Sequence, residues 1–180
     1  MVLLSKAKDR VFYGWVVVID LLVFIAMIIG TRYSFGIFFK SIESEFDLSR
    51  AVTSSIFSVF NVVCSAFALL GGRTLDRYGP RMVVLFMGLF TGLSLILTSR
   101  TNSAWQLFLT YSLLLAIGTG PGFTVVITTV STWFVQKRGL ALGIATSGDG
   151  LGTLAMAPFA VYLISSFGWR TSYLVIGLVA

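Results

Sequence analysis

Three ionisable residues lie inside long apolar segments of the sequence, namely Asp20, Arg32 and Asp149. A charge within hydrocarbon costs several kcal/mol unless it is paired or faces water, so such residues in membrane proteins mark proton, ion or substrate sites. At a helical rise of about 1.5 Å per residue, Asp20 and Asp149 fall near mid-membrane and Arg32 near one end. We predict Asp20 or Asp149 as a proton-coupling carboxylate and Arg32 as an attractor for an anionic substrate.

Asp149 and Arg32 also have a purely structural interpretation. Asp149 would be hydrogen-bonded within a glycine-rich turn at residues 148–152, and Arg32 would extend to the lipid headgroups. On an ideal helix, Arg32 points about a third of a turn away from the face of Asp20. We therefore expect no direct pair between Asp20 and Arg32.

A stripe of small and polar residues recurs at helical spacing in the second apolar segment. Its members are Ser54, Ser58, Asn61, Ser65, Ala68 and Gly72. Such a stripe either lets two helices pack closely or lines a wet cavity. We favour close packing for the serines and predict that Asn61, which is larger and near mid-depth, lines the cavity.

Glycines and a proline interrupt the fourth apolar segment at Gly118, Gly120, Pro121 and Gly122. Weakened helices near the membrane midplane are where transporter substrate sites tend to lie. The glycines do not form a dinucleotide-binding fingerprint, because the third glycine of that pattern is replaced by Phe123 and no strand precedes it.

The elements that carry these residues are long apolar segments. Hydrophobic residues make up 57% and charged residues 11% of the 180 residues, against roughly 45–50% and 25% in soluble domains. Segments of about 20 apolar residues can span a membrane as helices. The predicted spans cover residues 12–39, 51–70, 82–98, 104–135, 139–167 and an incomplete 171–180. We expect an all-α membrane protein whose sixth helix is truncated, and hence a fragment.

Lysine and arginine are distributed unevenly between the two sides of these spans. Eight lie on one side and four on the other, with Arg32 inside the first span. The positive-inside rule then predicts a cytoplasmic N-terminus and an integral protein of the plasma (inner) membrane. The net charge of +6 is explained by this topology, so we expect the lipid bilayer and no nucleic acid as a partner.

The sequence has no histidine and a single cysteine, Cys64, inside an apolar segment. This composition excludes disulfides, the usual zinc sites and His-based catalytic triads. We expect neither an enzyme nor a bound metal or cofactor.

The connector after the second span has the most specific pattern in the chain. It reads GRTLDRYGPR and contains Gly72, Asp76, Arg77, Gly79 and Arg81. This pattern resembles the cytoplasmic loop of the major facilitator superfamily, which in that family latches the two halves of the transporter together. The resemblance implies a gating role for these five residues, with the glycines making the turn. The structural alternative is an ordinary short positive loop.

Other segments narrow the resemblance to the monocarboxylate porter and oxalate/formate antiporter branch. They are FYGWVVV from Phe12, GTRYSFGIFF from Gly30, EFDLSRA from Glu45, WFVQKRGLALGIATSG from Trp133, APF from Ala157 and FGWRTSY from Phe167. The resemblance implies the N-terminal six-helix bundle of a twelve-helix fold, without its C-terminal bundle. The implied activity is alternating-access transport of a small organic anion, monocarboxylate- or dicarboxylate-like, with proton coupling or exchange. Aromatic side chains of spans one and four enclose small carboxylates in these families, which points to Tyr33 and Phe123.

Two alternative functions stay open at this stage. One is a non-transporting six-span membrane sensor or assembly protein, and the other is a major facilitator of another substrate class, such as a drug exporter. Drug efflux is disfavoured because Leu113, Leu114 and Leu115 occupy the stretch where such exporters often carry an arginine.

A short internal repeat supports a three-plus-three arrangement of spans. The third span opens with Tyr78-Gly79-Pro80-Arg81 and the sixth with Phe167-Gly168-Trp169-Arg170. Both read aromatic-Gly-x-Arg, on opposite predicted sides of the membrane. Transporters are often built from three-helix units related by inversion, so the repeat is expected to mark equivalent positions in two such units.

Overall fold

The computed structural model describes the backbone of residues 2–179 and the side chains of residues 13–179. These residues form helices α1 (Val2–Glu45), α2 (Arg50–Ser99), α3 (Ala104–Leu107), a π-helical segment (Phe108–Leu115), α4 (Ala116–Thr119), α5 (Gly122–Trp133), α6 (Arg138–Thr146) and α7 (Gly148–Val179). Residues 2–179 contain no β-strand. The prediction of an all-α protein is confirmed.

Four helical stretches are long and apolar enough to cross a membrane. They are Tyr13–Glu45, Arg50–Ser99, Ala104–Trp133 and Arg138–Val179. The second and fourth contain 50 and 42 residues, which as straight helices would measure about 75 and 63 Å. That is roughly twice the thickness of a bilayer's hydrocarbon core. Each of these two stretches must therefore bend or reverse.

The interruption falls at one glycine in each long stretch. Gly79 has φ 75° and ψ 166°, and Gly168 has φ 77° and ψ 163°. This region of backbone conformation is essentially open only to glycine. The repeated aromatic-Gly-x-Arg step therefore adopts the same backbone at both of its occurrences, which supports its interpretation as an internal repeat.

We expect Gly168→Ala to lower the free energy of unfolding by about 2 kcal/mol. A Cβ at Gly168 would meet no atom within 4 Å, so the cost comes from the positive φ alone. Gly139→Ala is the matched control, because Gly139 also has open space around it but no positive φ. Thermal unfolding of the purified protein in detergent measures both variants. Equal unfolding midpoints for the two would contradict the role assigned to the Gly168 backbone.

The chain doubles back at Gly79. A Cβ added to Gly120 would lie 2.8 Å from the Cys64 carbonyl oxygen, and one added to Gly118 would lie 2.5 Å from Thr91 Oγ1. Cys64 and Thr91 thus meet neighbouring residues of the α4 region, although they would be about 40 Å apart on a straight helix. The two parts of α2 must therefore lie side by side.

The chain doubles back again at Gly168. Before this glycine, α7 runs parallel to α1, with Gly148 against Leu22, Gly152 against Ala26 and Gly30 against Met156. After it, the ring of Tyr173 stacks on that of Phe38 at 4.0 Å between centroids. Val179 then borders the same cavity as Met27. The second part of α7 therefore runs antiparallel to α1.

Aromatic side chains fill the interior on the Glu45 side of the bundle. The largest fully buried side chains include Tyr111, Tyr173, Phe35, Phe38 and Phe60. The π-helical segment that carries Tyr111 is tied to α2 by Ser112, whose hydroxyl donates a hydrogen bond of 2.7 Å to the carbonyl of Ile56. Short π-helical segments are frequent at functional sites, and this one adjoins the site described next.

Candidate functional site

Arg32 is held between α1 and α2 by an amide and two aromatic rings. Its Nη2 donates a hydrogen bond to Asn61 Oδ1. The guanidinium carbon lies 5.5 Å from the ring centroid of Phe60 and 5.9 Å from that of Tyr33. Its Nε is buried and has no hydrogen-bond partner. The alternative prediction, that Arg32 extends to the lipid headgroups, is therefore wrong. The guanidinium contacts Asn61 and Phe60 instead.

The charge of Arg32 is not balanced by a carboxylate within the described part of the chain. The ion pairs among residues 13–179 join Arg50 to Glu43 at 3.6 Å and Arg170 to Glu45 at 2.8 Å. As expected, Arg32 does not pair with Asp20. A half-buried cation without a counter-charge attracts an anion, because water screens it less than it screens an exposed charge.

Tyr111 and Asn61 fix the position of Arg32. The Tyr111 hydroxyl donates a hydrogen bond of 3.3 Å to the Arg32 carbonyl oxygen. Asn61 Nδ2 donates to the Phe57 carbonyl at 2.7 Å, which leaves Asn61 Oδ1 to accept from Arg32. The sequence interpretation did not identify Tyr111, and the hydroxyl among apolar residues was the signal for it.

The small-residue stripe of α2 is open rather than packed. Ser54, Ser58 and Ser65 are exposed, and two of their hydroxyls bond carbonyls of their own helix, Ser58 to Ser54 at 3.1 Å and Ser65 to Asn61 at 2.9 Å. Ser54 and Ser58 border a cavity of about 330 Å³ that Tyr33 also lines. No helix among residues 13–179 packs against these serines, so the close packing that we favour for them stays a prediction.

The predicted residues outside this cluster lie elsewhere. Phe123 is on α5 with 37% of its surface exposed, and it is not among the contacts found for Arg32. Asp149 is half-buried in the first turn of α7, where a carboxylate stabilises the helix N-terminus. The prediction of a turn at residues 148–152 is wrong, because these residues are helical. Among the described residues, no three His, Cys, Asp or Glu side chains cluster as a metal site would require.

The Gly72–Arg81 connector remains helical except at Gly79. Gly72 has ordinary helical geometry and only a distant neighbour, so the expectation that it helps to make the turn is wrong. Asp76, Arg77 and Arg81 are exposed. The Arg77 guanidinium lies 5.5 Å from the ring centroid of Tyr78, and no ion pair of Asp76 occurs among residues 13–179. Asp76, Arg77 and Arg81 thus form no ion pair with the described part of the chain.

The second aromatic-Gly-x-Arg segment, at Phe167–Arg170, is bound to other helices, unlike the segment at Gly79. Trp169 Nε1 donates to Glu45 Oε2, and Arg170 pairs with Glu45 Oε1 at 2.8 Å. Arg170 Nη2 also donates to the carbonyl of Thr101 at 2.9 Å and to Asn102 Oδ1 at 3.3 Å. One end of the bundle is thus fastened by ionic and hydrogen bonds between α1, α7 and the connector before α3.

Comparison with known proteins agrees with the fold and with the Gly72–Arg81 pattern. Residues 21–180 match the profile described as Major Facilitator Superfamily. Over 164 residues the chain is 32% identical to monocarboxylate transporter 13 of Rattus norvegicus, covering 91% of this chain and 38% of the relative. It is 30% identical to human monocarboxylate transporter 2 over 165 residues, covering 92% and 34%.

A third relative, monocarboxylate transporter 6 of Mus musculus, is 28% identical over 174 residues, which cover 97% of this chain and 37% of that protein. The chain therefore spans less than two fifths of the length of the relatives it matches. The resemblance seen in the sequence motifs is confirmed, and the chain belongs to the Major Facilitator Superfamily.

Proposed function

We propose that this chain is the N-terminal bundle of a secondary transporter that moves a small organic anion by alternating access. The observation that carries the proposal is the Arg32 guanidinium, half-buried in an apolar bundle, bound to an amide and without a carboxylate partner among residues 13–179. Placing a cation in this setting is energetically costly, and such residues usually have a function. Binding of a transported anion would be that function.

With the chain reversing at Gly79 and Gly168, the four helical stretches would cross the membrane six times. Three of these passes on each side of the α3 region give the three-plus-three arrangement that the aromatic-Gly-x-Arg repeat predicts. The lysine and arginine distribution supports a cytoplasmic N-terminus in a plasma membrane. A C-terminal bundle of six further passes would face the open serine stripe of α2 and complete a twelve-helix transporter.

The substrate we propose is a monocarboxylate or dicarboxylate. Arginine presents a planar fork of donors that matches a carboxylate, and the Arg32 guanidinium has an amide but no carboxylate partner among residues 13–179. Asn61 orients the guanidinium, and Tyr33, together with Phe123 in a closed state, would wall the apolar part of the substrate. The matched relatives are named for monocarboxylates, which agrees with this size and charge. Coupling to a proton, or exchange for another anion, would involve Asp20 or Asp149.

Uptake by the full-length protein in reconstituted vesicles tests this function. We expect accumulation of labelled lactate, oxalate or formate, saturable and dependent on pH. A non-transporting sensor would leave uptake at the level of empty vesicles for all three anions. Uptake of cationic drugs in their place would support the drug-exporter alternative.

We expect Asp76→Asn to slow transport about tenfold while changing substrate affinity by less than about twofold. Asp76 is exposed at the Gly79 end of the bundle and makes no ion pair among residues 13–179. Its proposed partner is a helix end or cation of the second half, and such an interaction contributes about 1–2 kcal/mol to one state of the transporter. Initial rates and equilibrium binding of the substrate separate the two effects. Unchanged rates in vesicles would contradict the latch role.

A further inference from the structure

An apolar groove lies between the two parts of α2 that Gly79 separates. It has a volume of about 380 Å³, and residues of α4 and of the short connector after α4 form its third side. Leu70 is 48% and Phe86 is 53% exposed, so the groove is open at its rim. Its apolar lining includes Phe67, Leu70, Phe86, Phe90 and Ile117.

The groove runs along the helices, in the direction of a lipid acyl chain. Phe67 precedes Gly79 and Phe90 follows it at nearly equal distances along the chain. At a helical rise of about 1.5 Å per residue, each of them lies about 17 Å from the turn. That is roughly half the thickness of the hydrocarbon core of a bilayer. The groove therefore extends from the Gly79 end of the bundle to about the middle of the membrane.

Arg73 stands in this groove near its Gly79 end. It is exposed and forms no ion pair with the described part of the chain. Arg73 is the one charged residue that lines the groove, and the hydroxyl of Thr74 beside it already donates to the Leu70 carbonyl at 3.0 Å. Arg73 follows the predicted second span, which places it at the level of the lipid headgroups. A cation at the membrane surface thus adjoins an apolar crevice that reaches into the membrane.

The side chains around the groove favour a lipid over a protein helix as its occupant. Membrane helices approach one another closely at small residues, whereas Leu70 and Phe86 form the rim here and the neighbouring Leu89 is 65% exposed. The serine stripe, which we propose to face the second half of the protein, includes Gly72. Gly71 lines the groove and lies about 100° from Gly72 around an ideal helix. The groove therefore belongs to another face of α2 than the stripe.

We propose that this groove binds one anionic phospholipid, with its phosphate on Arg73 and one acyl chain along Phe67, Phe90 and Ile117. Basic pockets between membrane helices bind anionic headgroups on the cytoplasmic side, and the guanidinium fork matches the geometry of a phosphate. The occupant follows from this charge complementarity together with the apolar length of the groove. The proposal requires that the bundle is embedded in a membrane, and it does not depend on the transported substrate.

Quenching by brominated lipids tests this site in the full-length protein. With the native cysteines replaced, Leu70→Cys carries a bimane label at the rim of the groove. The protein is reconstituted into vesicles that contain phosphatidylglycerol or phosphatidylcholine with brominated acyl chains, in matched amounts. The ratio of the two quenching efficiencies measures the preference for the anionic headgroup. We expect a ratio of about five, because one arginine near the surface strengthens binding by about that factor.

Three further substitutions separate the charge of Arg73 from the other basic residues. Arg73→Gln should lower the ratio to about one, and Arg73→Lys should retain most of it. Arg77→Gln removes an exposed charge of the same connector that does not line the groove. It should leave the ratio unchanged.

A label at Leu89→Cys controls for lipid around the bundle in general. Leu89 is exposed on the part of α2 after Gly79 and does not line the groove. It lies at nearly the same distance from Gly79 along the chain as Leu70. Both lipids should quench this label about equally, in the wild type and in every variant.

A ratio near one at Leu70, or the same ratio in the wild type and in Arg73→Gln, would overturn the proposal. An equal preference for phosphatidylglycerol at Leu70 and Leu89 would also overturn it, because it would indicate a general attraction of anionic lipid to the basic end of the bundle. If neither lipid quenches the label at Leu70 while both quench the label at Leu89, a helix of the second half fills the groove, and the proposal is wrong.

Discussion

Arg32→Gln is expected to lower the rate of organic-anion uptake by the full-length protein at least about 100-fold. The glutamine keeps a polar side chain near Asn61 but removes the only charge in that cluster. Truncating one partner of a desolvated charge pair costs about 2–5 kcal/mol, and about 1.4 kcal/mol corresponds to a factor of ten. Initial uptake rates in vesicles with matched protein content measure the loss.

Arg50→Gln is the matched control for this prediction. The Arg50 side chain is 89% exposed and its pair with Glu43 is 3.6 Å long, and such surface pairs contribute little. Its uptake should stay within about twofold of the wild type. Arg32→Lys retains the charge but loses the planar fork of donors. Its uptake rate should therefore lie between those of Arg32→Gln and Arg50→Gln. Uptake by Arg32→Gln at the Arg50→Gln level would exclude Arg32 from the substrate site.

Gly152→Ala is expected to lower the free energy of unfolding by about 3 kcal/mol, because the added methyl has no room. A Cβ there would overlap the carbonyl oxygen of Ala26. Gly148 and Gly152 on α7 face Leu22 and Ala26 on α1 at spacings of four residues. Small residues at this spacing let membrane helices approach closely, and a methyl group forces them apart.

Gly150→Ala controls for the change of residue type. Gly150 lies two residues from Gly152 on the same helix, but a Cβ there would meet no atom within 4 Å. The Gly150→Ala protein should unfold at the wild-type temperature or above it, because alanine favours helix over glycine. Thermal unfolding in detergent, followed by circular dichroism, compares the two variants. Equal stability of Gly150→Ala and Gly152→Ala would show that α1 and α7 do not pack as described.

The helical class could be predicted from the sequence, whereas the helix bounds could not. Apolar segments of about 20 residues have few structures open to them other than a helix. The polar connectors at 71–81 and 167–170 looked like loops, yet their backbone is helical apart from one glycine each. Polarity marks where a chain leaves the membrane, and helix geometry continues until a residue such as Gly79 takes a conformation that ends it.

Part of the candidate site could be predicted from the sequence. Arg32 stood out because a charge in an apolar segment is costly, and Asn61 because an amide is rare there. Their contact across 29 positions depends on how α1 and α2 pack, which one helical pattern does not specify. The same holds for Tyr111, whose hydrogen bond to the Arg32 carbonyl joins residues 79 positions apart.

The serine stripe shows what a helical pattern leaves open. Small polar residues at helical spacing fit close packing and cavity lining equally well. Only the placement of the neighbouring helices decides between them, and here none of the described helices covers Ser54, Ser58 or Ser65. By contrast, Gly148 and Gly152, for which the sequence suggests a turn, make a close contact between α7 and α1.

Equilibrium binding of a small carboxylate to the full-length protein tests the central claim most directly. Isothermal titration of lactate, oxalate and formate into the wild type and Arg32→Gln, with Arg50→Gln as the control, compares the affinities without requiring turnover. We predict that at least one of these anions binds the wild type and Arg50→Gln with equal affinity and Arg32→Gln at least about 100-fold more weakly. The same affinity in all three proteins, or no binding of any anion to the wild type, would contradict the account.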